Sequence, residues 1–150
     1  PGFENAYFDR VAPFMGIRET RRLVGEYILT EQDIFDCAKF DDSIAVSAYP
    51  VDLHHPVGGD CTLMWCPDCH DIPYRSLLPK KIDSLIVAGR CISATHLALA
   101  SVRVMGPAMA TGEAAGKAAA LSVKYNVQLR DLDVAALQTA LREEGVYLRD

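Results

Sequence analysis

The sequence predicts an α/β fold on three observations. Residues 85–88 form an unbroken apolar run within residues 82–89, which is typical of a strand buried on both faces of a sheet. Ten of the fifteen residues from position 106 to position 120 are glycine or alanine, and Pro107 stands where the first turn of a helix tolerates proline. Hydrophobic residues make up 50% of the chain and charged residues 23%, which is typical of a globular domain and excludes a disordered chain.

The first half of the chain alternates between extended and turn-like segments. The β-formers between residues 21 and 29 predict a strand. Thr30 precedes acidic residues, which is typical of a capped helix start, and this helix is predicted to reach about Lys39. Residues 43–53 are again β-like, but Pro50 cannot donate a ladder hydrogen bond and predicts an edge strand or a broken one. Residues 54–79 are rich in proline and predict mostly loop.

The second half ends in two predicted helices. Residues 92–104 mix apolar and polar positions and do not decide between helix and strand. The glycine- and alanine-rich helix is predicted over residues 107–125, with Asn126 as its C-terminal cap. Asp133 is expected to cap a last helix, which Gly145 ends.

Charge and apolar patterning exclude two classes of partner. Fifteen Lys and Arg residues against twenty Asp and Glu give a net charge of −5, so no general basic surface is present for a nucleic acid. No apolar stretch approaches the roughly 18 to 20 residues that cross a bilayer, and no signal-peptide pattern is present. Five cysteines, three of them between residues 61 and 69, do not resemble a secreted disulfide framework. We expect a cytoplasmic protein that contacts neither nucleic acid nor membrane.

The predicted glycine- and alanine-rich helix has a stripe of small residues. Ala108, Gly112, Gly116 and Ala120 recur every four positions, so they share one helix face. Tight packing of this helix on a sheet explains such a stripe. A ligand at the helix start is a second explanation, because the first N–H groups of a helix have no intrahelical acceptor and Gly106 carries no side chain to block them.

Several motifs occur in a fixed order along the chain. They are GIRETRRLVGEY at residues 16–27, YPVDLH at 49–54, IPYRSLLP at 72–79, IDSLIVAGR at 82–90, CISATH at 91–96, ASVRVM at 100–105 and ATGEAAG at 110–116. This series resembles the C-terminal part of a family of bacterial FAD-dependent oxidoreductases, related to glutathione-reductase-like and fumarate-reductase-like flavoproteins.

The resemblance implies a C-terminal fragment of a two-domain FAD-binding fold. Residues 1–80 would belong to a β-rich, substrate-side region with its loop, and residues 81–150 to the return strand and helix of the FAD-binding domain. Flavoproteins of this kind bind the ADP half of FAD on an N-terminal glycine-rich turn, and no Gly-x-Gly-x-x-Gly occurs in this sequence. The expected partner is therefore the missing N-terminal half, so we expect the fragment alone to be inactive, to bind FAD poorly and to self-associate through apolar surface.

The resemblance also implies which residues contact the cofactor of the full-length protein. Ala88, Gly89 and Arg90 would line the diphosphate and ribityl chain of FAD. Residues 106–111 would present backbone N–H groups toward the isoalloxazine ring, with contacts from Gly106, Met109, Ala110 and Thr111.

Arg103 and His96 are the candidate catalytic residues, because both precede the flavin-contacting helix closely enough to reach the substrate. An ion pair of Arg103 with Glu113 or another carboxylate is the structural alternative, and a structural hydrogen bond is the alternative for His96. Three further cations, Arg18, Arg21 and Arg22, cluster on the predicted strand, where Arg18 and Arg22 would share a face.

The run Cys66-Pro-Asp-Cys69-His70 also has more than one interpretation. With Cys61 it offers three thiols and an imidazole for zinc, and Cys-x-x-Cys-His is the pattern of covalent haem attachment. All four residues lie within ten positions, whereas zinc ligands usually come in two separated pairs. We therefore expect ordinary thiols and no bound metal.

The predicted function is that of an FAD-dependent oxidoreductase that transfers a hydride between a small organic substrate and the flavin. The alternative, from another class, is a non-catalytic module that binds zinc through the loop cysteines or packs against a partner protein.

Overall fold

The computed structural model describes residues 2–54 and 59–149. Its helices are α1 (Glu31–Phe35), α2 (His96–Val102), α3 (Met105–Tyr125) and α4 (Val134–Glu143). Its strands are β1 (Ser43–Ser47), β2 (Val51–His54), β3 (Cys61–Met64) and β4 (His70–Pro73). Short 3₁₀ turns lie at Tyr74–Ser76, Gly89–Cys91 and Leu129–Asp131. None of the helices in the described part of the chain has the length and apolarity to cross a membrane.

The strands form two small antiparallel sheets. β1 pairs with β4, with Ser47 opposite His70 and an irregularity between Ser43 and Ala45. β2 pairs with β3, with His54 opposite Cys61. α3 packs against β1, α2 packs against β2, and α4 packs against α3. The fold is thus a mixture of helices with small antiparallel sheets, which agrees with an α/β class in the broad sense.

Local signals predicted three helices well. The side chain of Thr30 accepts a hydrogen bond from the amide of Asp33, and the carboxylate of Asp33 accepts one from the amide of Thr30, which forms the expected capping box at α1. Asn126 ends α3 in the left-handed conformation, and Asp133 caps α4 by accepting a hydrogen bond from the amide of Ala135. α1 is shorter than predicted, because Cys37 adopts a left-handed φ of 52° and reverses the chain.

Two undecided or loop-like segments have more structure than the sequence indicated. In residues 92–104, Thr95 caps α2 by accepting a hydrogen bond from the amide of Ala98, and the helix continues to Val102. The loop predicted over residues 54–79 contains β3 and β4, and four of its positions, 55–58, lie outside the described residues. The strand predicted over residues 43–53 is broken before Val51, as Pro50 predicted.

The prediction of a strand over residues 21–29 is wrong. The segment is extended, but it forms only isolated bridges, between Gly25 and Pro79 and between Leu29 and Ala94. A Cβ atom on Gly25 would lie 2.6 Å from the Cβ of Ser93, so the backbone crosses another segment here at close range. The backbone of this segment bonds first to Cys91, then to Leu78 and Arg75, and then to Ser93, so its neighbour changes along its length and no continuous ladder forms.

The prediction that residues 82–89 form a strand buried on both faces is also wrong. Ile82 is 55% exposed and Leu85 41% exposed. The amide of Val87 donates to the carbonyl of Leu77 at 3.0 Å, but this contact does not extend into a ladder. An apolar run becomes a strand only where neighbouring strands accept its hydrogen bonds, and no described segment supplies them on both sides.

The stripe of small residues on α3 does not pack against a sheet. Gly112, Gly116 and Ala120 are exposed, and a Cβ atom on either glycine would meet no atom within 4 Å. The opposite face of α3 is buried, through Pro107, Thr111, Ala114, Ala115, Ala118 and Leu121. The predicted packing explanation of the stripe is therefore wrong within the described chain.

Candidate functional site

An apolar cavity lies at the start of α3. Its volume is about 630 Å³. The turn between β1 and β2 forms one wall, Leu63 and Trp65 form a second, and the first turn of α3 forms a third. The lining residues are Val46, Ser47, Ala48, Tyr49, Pro50, Leu63, Trp65, Val104, Met105, Gly106 and Pro107.

A second cavity, which is cationic, adjoins the first. Its volume is about 600 Å³, and it shares Tyr49, Val104 and Met105 with the apolar cavity. Its other lining residues are Arg18, Asp52, Arg90, Arg103 and Ala108. Three arginines against one aspartate make this cavity suited to an anionic group.

The first turn of α3 is open toward this region. Val104 occupies the N-cap position, and no side chain among residues 2–54 and 59–149 caps the helix. The first amides of a helix have no intrahelical acceptor, and they carry the positive end of the helix dipole. Gly106 is exposed, and a Cβ atom there would meet nothing within 4 Å, so a ligand can approach the backbone directly. Met105 and Met109 are 83% and 74% exposed beside it.

The turn at residues 88–90 is tied to α3. Gly89 has a left-handed φ of 67°, and its amide donates to Thr111 Oγ1 at 3.0 Å. Arg90 donates to the carbonyl of Ile17 at 2.8 Å and lines the cationic cavity. Ala88 and Ala110 are both half-buried. Of the predicted cofactor-binding residues, only Thr111 is fully buried, at 1% exposure, so its side chain is not free to contact a ligand.

Glu19 connects the two candidate catalytic residues. His96 Nδ1 lies 2.8 Å from Glu19 Oε2, and Arg103 Nη1 lies 3.8 Å from the same oxygen. Arg103 also donates through Nη2 to the carbonyl of Asp52 at 2.8 Å. The prediction of Glu113 as the partner of Arg103 is wrong, but Arg103 does pair with another carboxylate, that of Glu19. The structural hydrogen bond considered for His96 is observed, and its partner is also Glu19. Glu19 lies 77 and 84 positions from its partners, so local pattern gave no signal for it.

The arginine cluster is also divided differently from the prediction. Arg18 lines the cationic cavity, whereas Arg22 donates to Glu19 at 2.6 Å. Arg21 lines a further cavity beside Cys91, which shares Arg18 and Arg90 with the cationic cavity. Because residues 18–22 are not in a strand, the predicted alternation between faces does not apply.

The four residues considered for zinc do not come together. His70 is fully buried, and neither ring nitrogen has a partner among the described residues. Burial, together with the nearby charge of Arg149, lowers the pKa of His70 to about 4. Cys66 lies near the carbonyl of Tyr49, at 3.9 Å, and burial raises the pKa of its thiol.

Cys61 joins a different group. Its Sγ donates to Asp52 Oδ1 at 2.8 Å, and His54 Nε2 lies 3.3 Å from Asp52 Oδ2. The hydrogen bond from Cys61 lowers the pKa of Asp52, and the same carboxylate raises the pKa of Cys61.

An open helix start beside an apolar and a cationic cavity can accept a ligand that carries both an apolar ring and an anionic group. The chain matches the model of the FAD-dependent oxidoreductase family over residues 1–141 and belongs to that family. A comparison with curated proteins and a comparison with solved structures each found no match. The family places the function of this chain among FAD-dependent redox reactions.

The residues at the start of α3 fit the flavin end of FAD. The apolar face of a flavin ring can lie against Met105 and Pro107. Its polar edge can then reach the uncapped amides of the first turn of α3, because Gly106 has no Cβ atom to block them. The cationic cavity next to it suits the phosphate groups or an anionic substrate. The ADP half of FAD has no matching glycine-rich turn in this sequence.

Proposed function

We propose that this chain supplies the flavin-side and substrate-side walls of an oxidoreductase that transfers a hydride between a small organic substrate and FAD. When bound, FAD supplies the group that accepts or gives up the hydride. The proposal rests on one observation: the uncapped start of α3 opens onto two cavities of complementary character.

The first turn of α3 would hold the flavin ring. Backbone N–H groups near Gly106 would stabilise negative charge on the ring, and Met109 and Ala110 would shape the contact. Ala88, Gly89 and Arg90 would approach the diphosphate and ribityl chain. Thr111 would act indirectly, because its hydroxyl holds the amide of Gly89 and faces no cavity.

Arg103 would bind an anionic group of the substrate. Its side chain is only 10% exposed, so its charge is weakly screened, and it lines the cationic cavity. Glu19 and the carbonyl of Asp52 hold the guanidinium in place. His96 would hold or release a proton at Nε2, since Nδ1 is engaged by Glu19 and the side chain is 63% exposed.

The ADP half of FAD would be bound by another segment of a longer protein. The proposal is supported by the absence of a Gly-x-Gly-x-x-Gly turn from this sequence. That segment would then cover the apolar side chains of residues 82–88 and the stripe of small residues on α3. The 150-residue chain alone is expected to bind FAD poorly and to self-associate.

The test uses the full-length protein and the ratio of flavin to protein absorbance. Gly106→Val should give folded protein depleted of flavin, because it places a side chain between the ligand and the backbone. Ala110 lies one turn further along α3 and lines neither cavity, and Ala110→Leu should deplete flavin where the ligand extends along the helix beyond the cavities. Arg103→Ala should keep its flavin and lose turnover. Full flavin occupancy in both Gly106→Val and Ala110→Leu would show that α3 does not contact the cofactor.

The matched control is Gly112→Val. Gly112 is also an exposed glycine of α3 with open space at its Cβ position, but it does not line either cavity. Its thermal melt reports the cost of a β-branched residue in this helix. Equal flavin loss in Gly106→Val and Gly112→Val would assign the effect to the helix and not to the cavity.

A further inference from the structure

The β2–β3 hairpin brings three side chains of metal-ligand type to one place. Asp52 and His54 are two positions apart in β2, so they lie on the same face of the strand. Cys61 is directly opposite His54 in β3, and directly opposed residues share a face. One carboxylate, one imidazole and one thiol therefore converge through the register of a single hairpin.

The distances between the ligand atoms suit one small cation. The three atoms, one from each side chain, all lie within 4.8 Å of one another. Two ligands of a tetrahedral Zn²⁺ lie about 3.3 to 3.8 Å apart when each bond has its usual length of about 2.0 to 2.3 Å. His54 Nε2 is 3.3 Å from Asp52 Oδ2, and Cys61 Sγ is 2.8 Å from Asp52 Oδ1. The shorter distance is that of a hydrogen bond donated by the thiol, and metal binding removes the thiol proton, so this contact would lengthen in the bound form.

The ligand types favour Zn²⁺ over a hard cation. A thiolate and an imidazole select borderline metals such as zinc, whereas Ca²⁺ and Mg²⁺ take oxygen ligands. A thiolate and a carboxylate together balance the two positive charges of the ion. Arg18 and Arg103 lie near Cys61 and oppose a cation, although Glu19 pairs with Arg103.

We propose that Asp52, His54 and Cys61 bind one Zn²⁺ ion with three protein ligands. Three protein ligands leave one position of a tetrahedral ion for water or another small ligand. Asp52 also lines the cationic cavity, so the ion would lie at the edge of that cavity. The site is independent of the proposed flavin contact, because none of its three ligands belongs to α3.

This site differs from the zinc set that the cysteine spacing suggested. That set required Cys61 together with Cys66, Cys69 and His70, but His70 is fully buried. Among the described residues, the one cluster of three or more metal-ligating side chains consists of Asp52, His54 and Cys61. The two possibilities make opposite predictions for substitutions at Cys66 and Cys69.

The test titrates the purified protein with ZnCl₂ and, separately, with CoCl₂. The wild type should bind one equivalent of Zn²⁺, and the Co²⁺ form should show the near-ultraviolet sulfur-to-cobalt absorption that only a thiolate ligand gives. Cys61→Ser should abolish that absorption. His54→Ala and Asp52→Asn should each weaken Zn²⁺ binding at least about tenfold, since loss of even an outer-shell partner costs that much.

Two controls separate this site from other thiols. The double variant Cys66→Ser with Cys69→Ser and the single variant Cys91→Ser should bind one equivalent as the wild type does. A far-ultraviolet circular dichroism spectrum of each variant reports whether it folds. In the wild type itself, one equivalent of Zn²⁺ should protect Cys61 from alkylation by iodoacetamide, as mapped by mass spectrometry.

Three results of the metal titrations would overturn the proposal. They are the absence of Zn²⁺ binding by the wild type, an unchanged Co²⁺ spectrum in Cys61→Ser, and loss of binding in the Cys66 and Cys69 double variant. Equal alkylation of Cys61 with and without Zn²⁺ would also overturn it, even where Cys61→Ser fails to fold.

Discussion

Gly89 donates its amide to Thr111 Oγ1 at 3.0 Å, and this bond joins two motifs that lie 22 positions apart. Thr111 also donates to the carbonyl of Pro107 at 2.8 Å, within the first turns of α3. The threonine hydroxyl thus acts as donor and acceptor at once. It fixes the distance between the turn at residues 88–90 and the start of α3, the two segments proposed to contact FAD.

Thr111→Val is expected to destabilise the protein by about 1 to 3 kcal/mol, because the half-buried amide of Gly89 loses its acceptor while the volume of the side chain is kept. The measurement is urea denaturation. The matched control is Thr139→Val on α4. Thr139 makes the same kind of bond to the carbonyl four positions earlier, at 2.9 Å, but it is exposed and accepts no bond from another segment. Equal effects of the two substitutions would contradict the assigned role of Thr111.

Arg149→Met is expected to cost roughly 3 to 5 kcal/mol of unfolding free energy, because it leaves the buried carboxylate of Asp71 without its cation. Arg149 Nε lies 2.7 Å from Asp71 Oδ1, and the two side chains are 10% and 3% exposed. Arg149 also donates to the carbonyls of Cys69, Cys37 and Ala38, so the C-terminal segment is held against β4. Thermal melting of the variant gives the result.

Arg10→Met is the control for that substitution. Arg10 pairs with Asp9 at 3.1 Å, but the two side chains are 88% and 70% exposed. Its loss is expected to change the free energy of unfolding by less than about 0.5 kcal/mol. A melt of Arg149→Met that matches the melt of Arg10→Met would show that the buried pair does not stabilise the fold.

His70 is expected to make the protein sensitive to acid. The unfolded chain binds a proton on this residue near its ordinary pKa of 6.5, but the folded chain binds it only near pH 4. Unfolding therefore takes up a proton between these values, so the free energy of unfolding falls as the pH drops from about 6.5 to about 4 and levels off below. The loss is on the order of 3 kcal/mol.

His70→Leu removes this group, and its denaturation curves across the same pH range should show a flatter dependence than those of the wild type. The quantity to compare is the slope of the free energy of unfolding against pH, and not the absolute stability of the variant. Parallel profiles for the two proteins would mean that His70 is not the group that titrates.

Glu19→Gln is expected to lower turnover of the full-length protein on the order of 10- to 100-fold while its flavin content stays unchanged, because the variant no longer fixes His96 and Arg103 by charge. A displaced pH profile of kcat would separate loss of positioning from loss of folded protein. Glu26→Gln is the control: Glu26 pairs with Arg130 at 2.7 Å and not with either candidate catalytic residue in the described structure, so this variant should keep normal turnover.

Gly116→Ala is expected to stabilise the 150-residue chain by about 0.5 to 1 kcal/mol, because alanine is the better helix former and a Cβ atom there meets nothing within 4 Å. Thermal melting measures this gain. Gly25→Ala is the opposite case, since its Cβ atom would lie 2.6 Å from that of Ser93, and it should destabilise the protein. Destabilisation by Gly116→Ala would show that another surface already covers the stripe.

The features predicted correctly from the sequence are those that local chemistry determines. Thr30, Asp133 and Asn126 cap their helices through hydrogen bonds or backbone conformation within a few positions, so the pattern alone identifies them. Pro50 breaks its strand for an equally local reason, the missing amide hydrogen.

The features predicted wrongly depend on distant segments. Residues 82–89 have the composition of a buried strand, but a strand also needs neighbours, and the described chain does not place them there. In the candidate site, the sequence indicated His96 and Arg103 but not Glu19 or Asp52, because those contacts form only when the chain folds back on itself. Neither periodicity nor spacing encodes such a contact.

The carboxylate of Glu19 lies at the C-terminal end of an exposed N-terminal segment that buries little surface against the rest of the molecule. Residues 2–18 are exposed throughout, and Glu19 is the first of the described positions with partial burial. A brief local opening of this segment would separate the carboxylate from His96 and Arg103 while β1, β4, α3 and α4 keep their contacts. Backbone amides near residue 19 are therefore expected to exchange hydrogen for deuterium much faster than those of α3, and the contacts of Glu19 with His96 and Arg103 are expected to break and re-form on that faster timescale.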